Sequence, residues 1–233
     1  MVVSVLWVYN RGKDKGHRAL ARRVMELSSK GGPPETIEGL KEAIALYEDQ
    51  IEKNVSTGAQ TGVYWKILAI RLADRGMHID ALAAIERALY FNSADPTLFY
   101  LTGEYASSAA AAALNFRENS VGEKERYTNL AETSYLRAIQ LDPSYAKPHF
   151  GLGLLYTFDM DRPQDAIPHL EHFLQLSPNN IEGMFVLARA FYMTEKYDSA
   201  ADLYDKIISK SKDQKVKSEA LKNRDIVRDL MYE

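Results

Sequence analysis

The chain of 233 residues contains no cysteine, and this absence excludes disulfide bonds, thiolate catalysis and cysteine-ligated zinc sites. It has only 13 glycines and 8 prolines, which leaves no room for a long disordered or collagen-like region. The sequence also lacks a phosphate-binding glycine loop and the GxSxG motif of hydrolases. We therefore predict a protein that is not an enzyme, with no catalytic residues and no cofactor.

A large excess of charge of either sign is also missing, because 29 basic residues face 32 acidic ones and the net charge is −3. The chain as a whole thus lacks the basic surface of a nucleic-acid binder. The distribution is uneven, with a net charge of +5 over residues 1–30, +3 over residues 206–233 and about −11 between them. An acidic body between basic ends disfavours a nucleic-acid groove, and we predict no nucleic-acid partner.

No long hydrophobic run is present, and the apolar stretch that stands out is MVVSVLWVY at residues 1–9. Nine residues are too few to span a bilayer, which takes about 20, and a signal peptide carries its charges ahead of the apolar run. Lys and Arg clustered after an apolar run are typical of the cytoplasmic end of a membrane helix. Residues 1–12 are therefore either the remnant of a membrane anchor, in contact with a membrane, or an extension of the first helix. We accordingly predict that the protein is either attached to a membrane through this segment or cytoplasmic.

What the chain does contain is an internal repeat between residues 144 and 209. In the first copy, Gly153 and Tyr156 are followed by Ala166 and Phe173, and the copy closes with Leu-Ser-Pro-Asn-Asn at residues 176–180. The spacing predicts two helical hairpins laid end to end. The second copy repeats the same order of large and small residues with Met184, Leu187, Ala188 and Phe191, then Ala200, Tyr204 and Ile207.

This pattern resembles the tetratricopeptide repeat, a helical hairpin of about 34 residues with small side chains where its helices approach most closely. The resemblance implies an all-α fold, a right-handed α-solenoid of about five such hairpins plus a C-terminal capping helix. The array is predicted at residues 13–210 and the capping helix at residues 211–233. The hairpins are predicted at about residues 13–55, 60–93, 95–143, 144–179 and 180–210.

Local signals refine these boundaries. A stretch rich in Ser, Thr and Gly predicts a loop at residues 56–62, between the first two hairpins. Five alanines at residues 109–113 predict that the first helix of the third hairpin continues to about Asn115, and its second helix is predicted from about Lys124. In the fourth hairpin one residue beyond the consensus predicts a longer turn at residues 159–162.

Two histidines, His169 and His172, lie three residues apart on one predicted helix and could in principle present both rings to a metal. No third ligand stands at a matching spacing, whereas a catalytic zinc takes three protein ligands. We interpret the pair as surface histidines and predict no metal site.

Binding is the function that the resemblance implies, in a groove lined by the first helices of successive hairpins. Several groove positions hold aromatic residues where water should reach them, and exposed apolar patches usually mark binding sites. The family's clamp for chaperone tails is disfavoured, since Ile70, Leu101 and Gly151 replace polar donors. The groove positions transfer to this chain as Lys66, Ile70, Asp74, Tyr100, Glu104, Lys147, Phe150, Leu154, Phe158, Phe185, Arg189 and Tyr192.

We predict a non-catalytic scaffold that binds a peptide or protein segment in this groove. The charges of Lys66, Lys147 and Arg189 favour a segment with bulky apolar anchors and some acidic residues. Two alternatives stay open: a self-associating structural protein of the cell envelope, hence a homo-oligomer, and a binder of a small hydrophobic ligand in the same groove. If the repeat register is shifted by one residue, the aromatic residues belong to the hairpin core instead.

Overall fold

The computed structural model describes residues 37–113 and 120–231, together with residues 19, 22, 23 and 26. All regular structure in these residues is helical, which confirms the all-α prediction. The helices are α1 (Ile37–Ala73), α2 (His78–Phe91), α3 (Pro96–Ala113), α4 (Ser120–Leu141), α5 (Ala146–Leu154), α6 (Pro163–Leu176), α7 (Ile181–Met193), α8 (Tyr197–Lys210) and α9 (Gln214–Leu230).

The chain divides into two compact units, residues 1–61 and residues 62–233. In the first unit, the described part of the chain from Ile37 onward is helical throughout, so the loop predicted at residues 56–62 is wrong. Thr57 and Thr61 donate their hydroxyls to the carbonyls of Lys53 and Thr57, at 2.8 Å each. The helix thus satisfies the side chains that could otherwise favour a turn. The start of the first predicted hairpin, residues 13–36, lies mostly outside the described residues.

In the second unit, consecutive helices pack against each other from α2 to α9. The small residues of the repeat occupy the close contacts, because a larger side chain there would overpack the helix pair. Ala81 and Ala88 have no exposed surface. The same is true of Ala69, Ala131, Ala138, Ala166, Ala188 and Ala200.

The third hairpin consists of two long helices, α3 and α4. Asp95 caps α3 by accepting the Thr97 backbone N–H at 2.8 Å, and Pro96 occupies the first helical position, where no N–H is needed. The alanine run is helical through Ala113, as predicted, while the predicted end near Asn115 lies outside the described residues. The second helix begins at Ser120, four residues earlier than predicted.

The fourth hairpin has one residue more than the repeat consensus. This residue widens the end of its first helix instead of lengthening the loop. A π-helical turn at Leu155–Asp159 follows α5, and the Met160 N–H donates to the Leu155 carbonyl at 3.0 Å. The turn then closes through Asp161 at a positive φ of 51°. The sequence predicted the longer connection but not its π-helical form, which brings Phe158 to the surface with 57% of its area exposed.

The last helix, α9, ends the array, and it is attached to α8 by one carboxylate. Asp205 accepts the Arg224 Nη1 hydrogen bond at 2.9 Å and the Arg228 Nη2 hydrogen bond at 2.8 Å. Only Ala220 and Val227 of α9 are fully buried. The apolar face of this helix is narrow, because Leu221 and Ile226 are each more than 40% exposed.

We expect Asp205→Asn to loosen α9 selectively, because Arg228 loses its anionic partner on α8 and Arg224 keeps Asp225, which lies on α9 itself. These ion pairs are partly exposed, so the loss of stability should be small, about 1 kcal/mol. Hydrogen exchange of the α9 amides should accelerate while exchange in α5 and α6 stays unchanged. Asp202→Asn, on the same helix, is the matched control. Equal exchange rates in the two variants would show that Asp205 does not hold α9.

Candidate peptide-binding groove

Nine of the twelve predicted groove residues lie in two clefts of the second unit, both formed mainly by the first helices of hairpins. The tyrosine cleft has a volume of about 600 Å³ and lies between α3, α5 and the start of α7. The C-terminal cleft has a volume of about 370 Å³ and lies between the π turn, α7 and α9. The predicted residues are Tyr100, Glu104, Lys147, Phe150 and Leu154 in the tyrosine cleft, and Phe158, Phe185, Arg189 and Tyr192 in the C-terminal cleft.

The walls of the tyrosine cleft are aromatic rings in mutual contact. The centroid of Tyr100 lies 5.4 Å from that of Tyr145, edge to face, and 6.1 Å from that of Tyr135. Phe150 stacks on Phe173 at 4.8 Å. Tyr100 and Phe150 are half-buried, so each ring packs in a hairpin on one side and lines the cleft on the other.

Two glycines create the space for Tyr135, which is not among the predicted groove residues. A Cβ atom at Gly103 would stand 2.5 Å from the Tyr135 Cε1 atom, and one at Gly151 would stand 2.6 Å from its Cζ atom. The ring therefore lies against both α3 and α5, where no other residue type would fit without displacement. Paired glycines on neighbouring first helices were the signal that could have placed this ring in the groove.

The electrostatic field of the tyrosine cleft is set by carboxylates. Burial, and after it the charge of Glu104, raise the pKa of Tyr100 far above its usual value, and the same two causes raise the pKa of Tyr145. Glu182 on α7 adds a second carboxylate to the lining. Lys147 is the one cation of the lining, and its Nζ atom lies 5.5 Å from the centre of the Tyr100 ring.

The C-terminal cleft has the opposite charge. Its lining includes Arg189, whose guanidinium lies 5.1 Å from the centre of the Tyr192 ring, and no carboxylate. Phe185 approaches Tyr204 of α8 with ring centroids 6.1 Å apart. The side chains that sequence analysis missed come from later helices: Tyr204, Asn223, Ile226 and Val227.

The three predicted groove residues of the second hairpin lie outside both clefts. Lys66 is engaged with Asp95, with 3.5 Å between Nζ and Oδ2. Ile70 on α1 and Asp74 in the turn that follows it are exposed. The repeat positions predicted a single groove, but the described clefts begin only at α3.

The two histidines that were interpreted as surface residues are only partly exposed. His169 and His172 are partly buried, and His149 on α5 joins them. The Nδ1 atoms of His149 and His169 lie 3.2 Å apart, and the rings of His149 and His172 are 4.4 Å apart. Within residues 37–113 and 120–231, no group of three or more His, Asp or Glu side chains is arranged to hold a metal ion.

The membrane-anchor interpretation concerns residues 1–12, which lie outside the described residues. In the part of the chain that the structure describes, none of the helices has the length and apolarity needed to cross a bilayer.

Comparisons with known proteins support the repeat assignment. A family model described as "Tetratricopeptide repeat" matches residues 157–222. A "TPR repeat-containing protein" of Borreliella burgdorferi is 24% identical over 209 residues, which cover 89% of this chain and 88% of that protein.

Solved structures share the fold at low sequence identity. A crystal structure of MamA protein is 19% identical, with a TM-score of 0.52, over 82% of this chain and 91% of that one. MamA from residue 41 to its end, from Desulfovibrio magneticus RS-1, is 15% identical, with a TM-score of 0.55, over 74% and 96% of the two chains. The predicted α-solenoid is thereby confirmed.

Proposed function

We propose that this chain, a tetratricopeptide repeat protein, is a scaffold that binds a segment of another protein along the two clefts. The general role of an interaction scaffold agrees with the family and fold. The observation that carries the finer proposal is the pair of aromatic clefts, in which Tyr100, Phe150 and Phe185 of the first helices are only partly buried. Partly exposed aromatic rings in concave sites are the usual anchor points of a protein interface.

One segment can reach both clefts, because residues close together in the chain line one cleft and the other. Leu154 of α5 lines the tyrosine cleft, and Phe158 of the following π turn lines the C-terminal cleft. On α7, Glu182 lies in the first cleft and Phe185 in the second. Packed helices are about 8–10 Å apart, so an extended segment would place its apolar anchors about three residues apart.

The clearest test residue is Phe158, because its ring is 57% exposed and contributes little to the folded core. Peptides are first selected from a random phage-displayed library on the wild-type chain and then titrated by fluorescence anisotropy. We expect Phe158→Ala to weaken binding of the selected peptides by roughly ten-fold or more, with an unchanged Tm. Tyr90→Ala is the matched control, since that ring is 76% exposed and lies on α2, outside both clefts.

Phe158 is a better choice than Phe150 or Phe185, which also pack on the hydrophobic core and would lose stability when truncated. Equal affinities of the Phe158→Ala and Tyr90→Ala variants would contradict the proposal. A chain that selects no peptide but releases a small molecule on organic extraction would favour the ligand-binding alternative. A multimer by light scattering that Phe158→Ala dissociates would favour self-association.

A further inference from the structure

We propose that the tyrosine cleft binds a cationic side chain, lysine or arginine, of the partner segment, against the Tyr100 and Tyr145 rings and beside Glu104. This inference rests on the proposed function, because it names the chemistry of one anchor of the bound segment. It reverses the sequence-based expectation of acidic residues in the segment for this cleft.

The first support is the arrangement of the rings. Tyr100 and Tyr145 meet at an angle of 65° with centroids 5.4 Å apart, so their faces point in different directions around one corner of the cleft. Aromatic faces attract ammonium and guanidinium groups within about 6 Å, and several rings around one cation form the aromatic cages that bind alkylated ammonium ions. The cleft volume of about 600 Å³ is large enough to admit an arginine side chain.

The second support is that the chain already places a cation of its own against the rings of the tyrosine cleft. Lys147 Nζ lies 5.5 Å from the centre of the Tyr100 ring, although Lys147 itself is exposed and its long side chain could extend into water. Its position shows where a positive charge is favoured. A partner's guanidinium, which is planar and less strongly hydrated than an ammonium group, would compete well for the same face.

The third support is the negative charge around the rings of the tyrosine cleft. Glu104 lines the cleft, and its negative charge contributes to the raised pKa values of Tyr100, Tyr135 and Tyr145. Asp95 and Asp142 act on Tyr145 in the same direction. Glu182 and Lys147 are the other charged residues of the lining. One lysine among these carboxylates leaves the cleft negative, which complements a basic side chain and repels an acidic one.

The test uses the full chain and the same random phage-displayed library, with the residue frequencies of the recovered peptides as the readout. Selections run at about 0.3 M salt, where the screening length is roughly 5 Å and remote charges contribute little. We expect Lys and Arg to be several-fold enriched over Asp and Glu at one position near the apolar anchors. Glu104→Gln should abolish that enrichment, whereas Glu171→Gln, an exposed carboxylate on α6 outside the cleft, should preserve it.

Lys147→Gln provides a test of opposite sign, because removal of the competing cation should increase the enrichment of basic residues. Recovered peptides without a basic preference, or with a preference that Glu104→Gln leaves intact, would overturn this inference and leave the scaffold proposal standing. Recovery of no peptide at all would overturn the scaffold proposal and this inference with it.

Discussion

Gly153→Val is expected to lower the free energy of unfolding by about 3 kcal/mol. A Cβ atom at residue 153 would stand 2.3 Å from Leu170 Cδ2 and 2.5 Å from its Cγ, well inside van der Waals contact. Leu170 has no exposed surface and cannot swing into solvent, so α5 and α6 must separate to admit the larger side chain. Urea denaturation followed by far-UV circular dichroism measures the loss as a lower midpoint.

Two control variants identify the cause of that loss. Gly122→Ala, in α4, adds a methyl group where no described atom beyond the local helix backbone and the two chain neighbours lies within 4 Å, and it should stabilise the chain by about 0.5–1 kcal/mol. Gly153→Ala should cost less in a Leu170→Ala background than in the wild-type chain, because the truncated leucine leaves room for the methyl group. A coupling energy near zero in this double-mutant cycle would contradict the proposed clash.

The parts of the fold that could be predicted from the sequence are those that depend on residue size at short sequence separation. Ala81 and Ala88 are small because two helices of one hairpin meet there, and both are fully buried as expected. Asp95 and Pro96 likewise mark the start of α3 by their own chemistry. Each of these signals is read from a residue and its near neighbours alone.

The features that could not be predicted are those where the local sequence is compatible with both a helix and a loop. Residues 56–62 have the composition of a loop, yet threonine hydroxyls can bond within a helix as well as within a turn. In the fourth hairpin, an additional residue lengthens the connection whether it enters the loop or the helix. The structure places it in the π turn at Leu155–Asp159, and only that choice brings Phe158 into the C-terminal cleft.

The sequence predicted many of the residues that line the two clefts, but not the net charge of the tyrosine cleft. Repeat positions led to Tyr100, Phe150 and Phe185, which line the clefts. The same positions suggested a positive groove, because they counted Lys66 and did not include Glu182. Lys66 pairs with Asp95, while Glu182 comes from a hairpin further along the chain. Such pairings between helices distant in sequence depend on the packing of whole hairpins.

The histidine cluster was missed for the same reason, since His149 is 20 residues ahead of His169. Burial first, and then the neighbouring rings of His172 and His169, lower the pKa of His149 to about 4. Burial also lowers the pKa of His169, although the charge of Asp165 opposes the shift. The 3.2 Å contact between the two Nδ1 atoms has room for one proton, so the cluster is compatible with neutral rings and disfavours two charged ones.

The chain should therefore lose stability on mild acidification. The folded pKa of His149 lies below its ordinary value of 6.5, so the unfolded chain binds more protons between about pH 4 and 6.5. The stabilisation by neutral His149 is complete above pH 6.5 and is lost as the pH falls toward 4, on the order of 2 kcal/mol.

His149→Gln tests this pH dependence, because the amide can still donate a hydrogen bond to His169 but does not titrate. Urea midpoints of the wild type and the variant should be measured between pH 4 and 7.5, where carboxylates contribute equally to both chains. We expect the acid loss to be smaller in His149→Gln, and the two curves to converge as the pH falls. Parallel curves over this range would show that His149 is protonated as readily in the folded chain as in the unfolded one, which its burial against two other imidazoles disfavours.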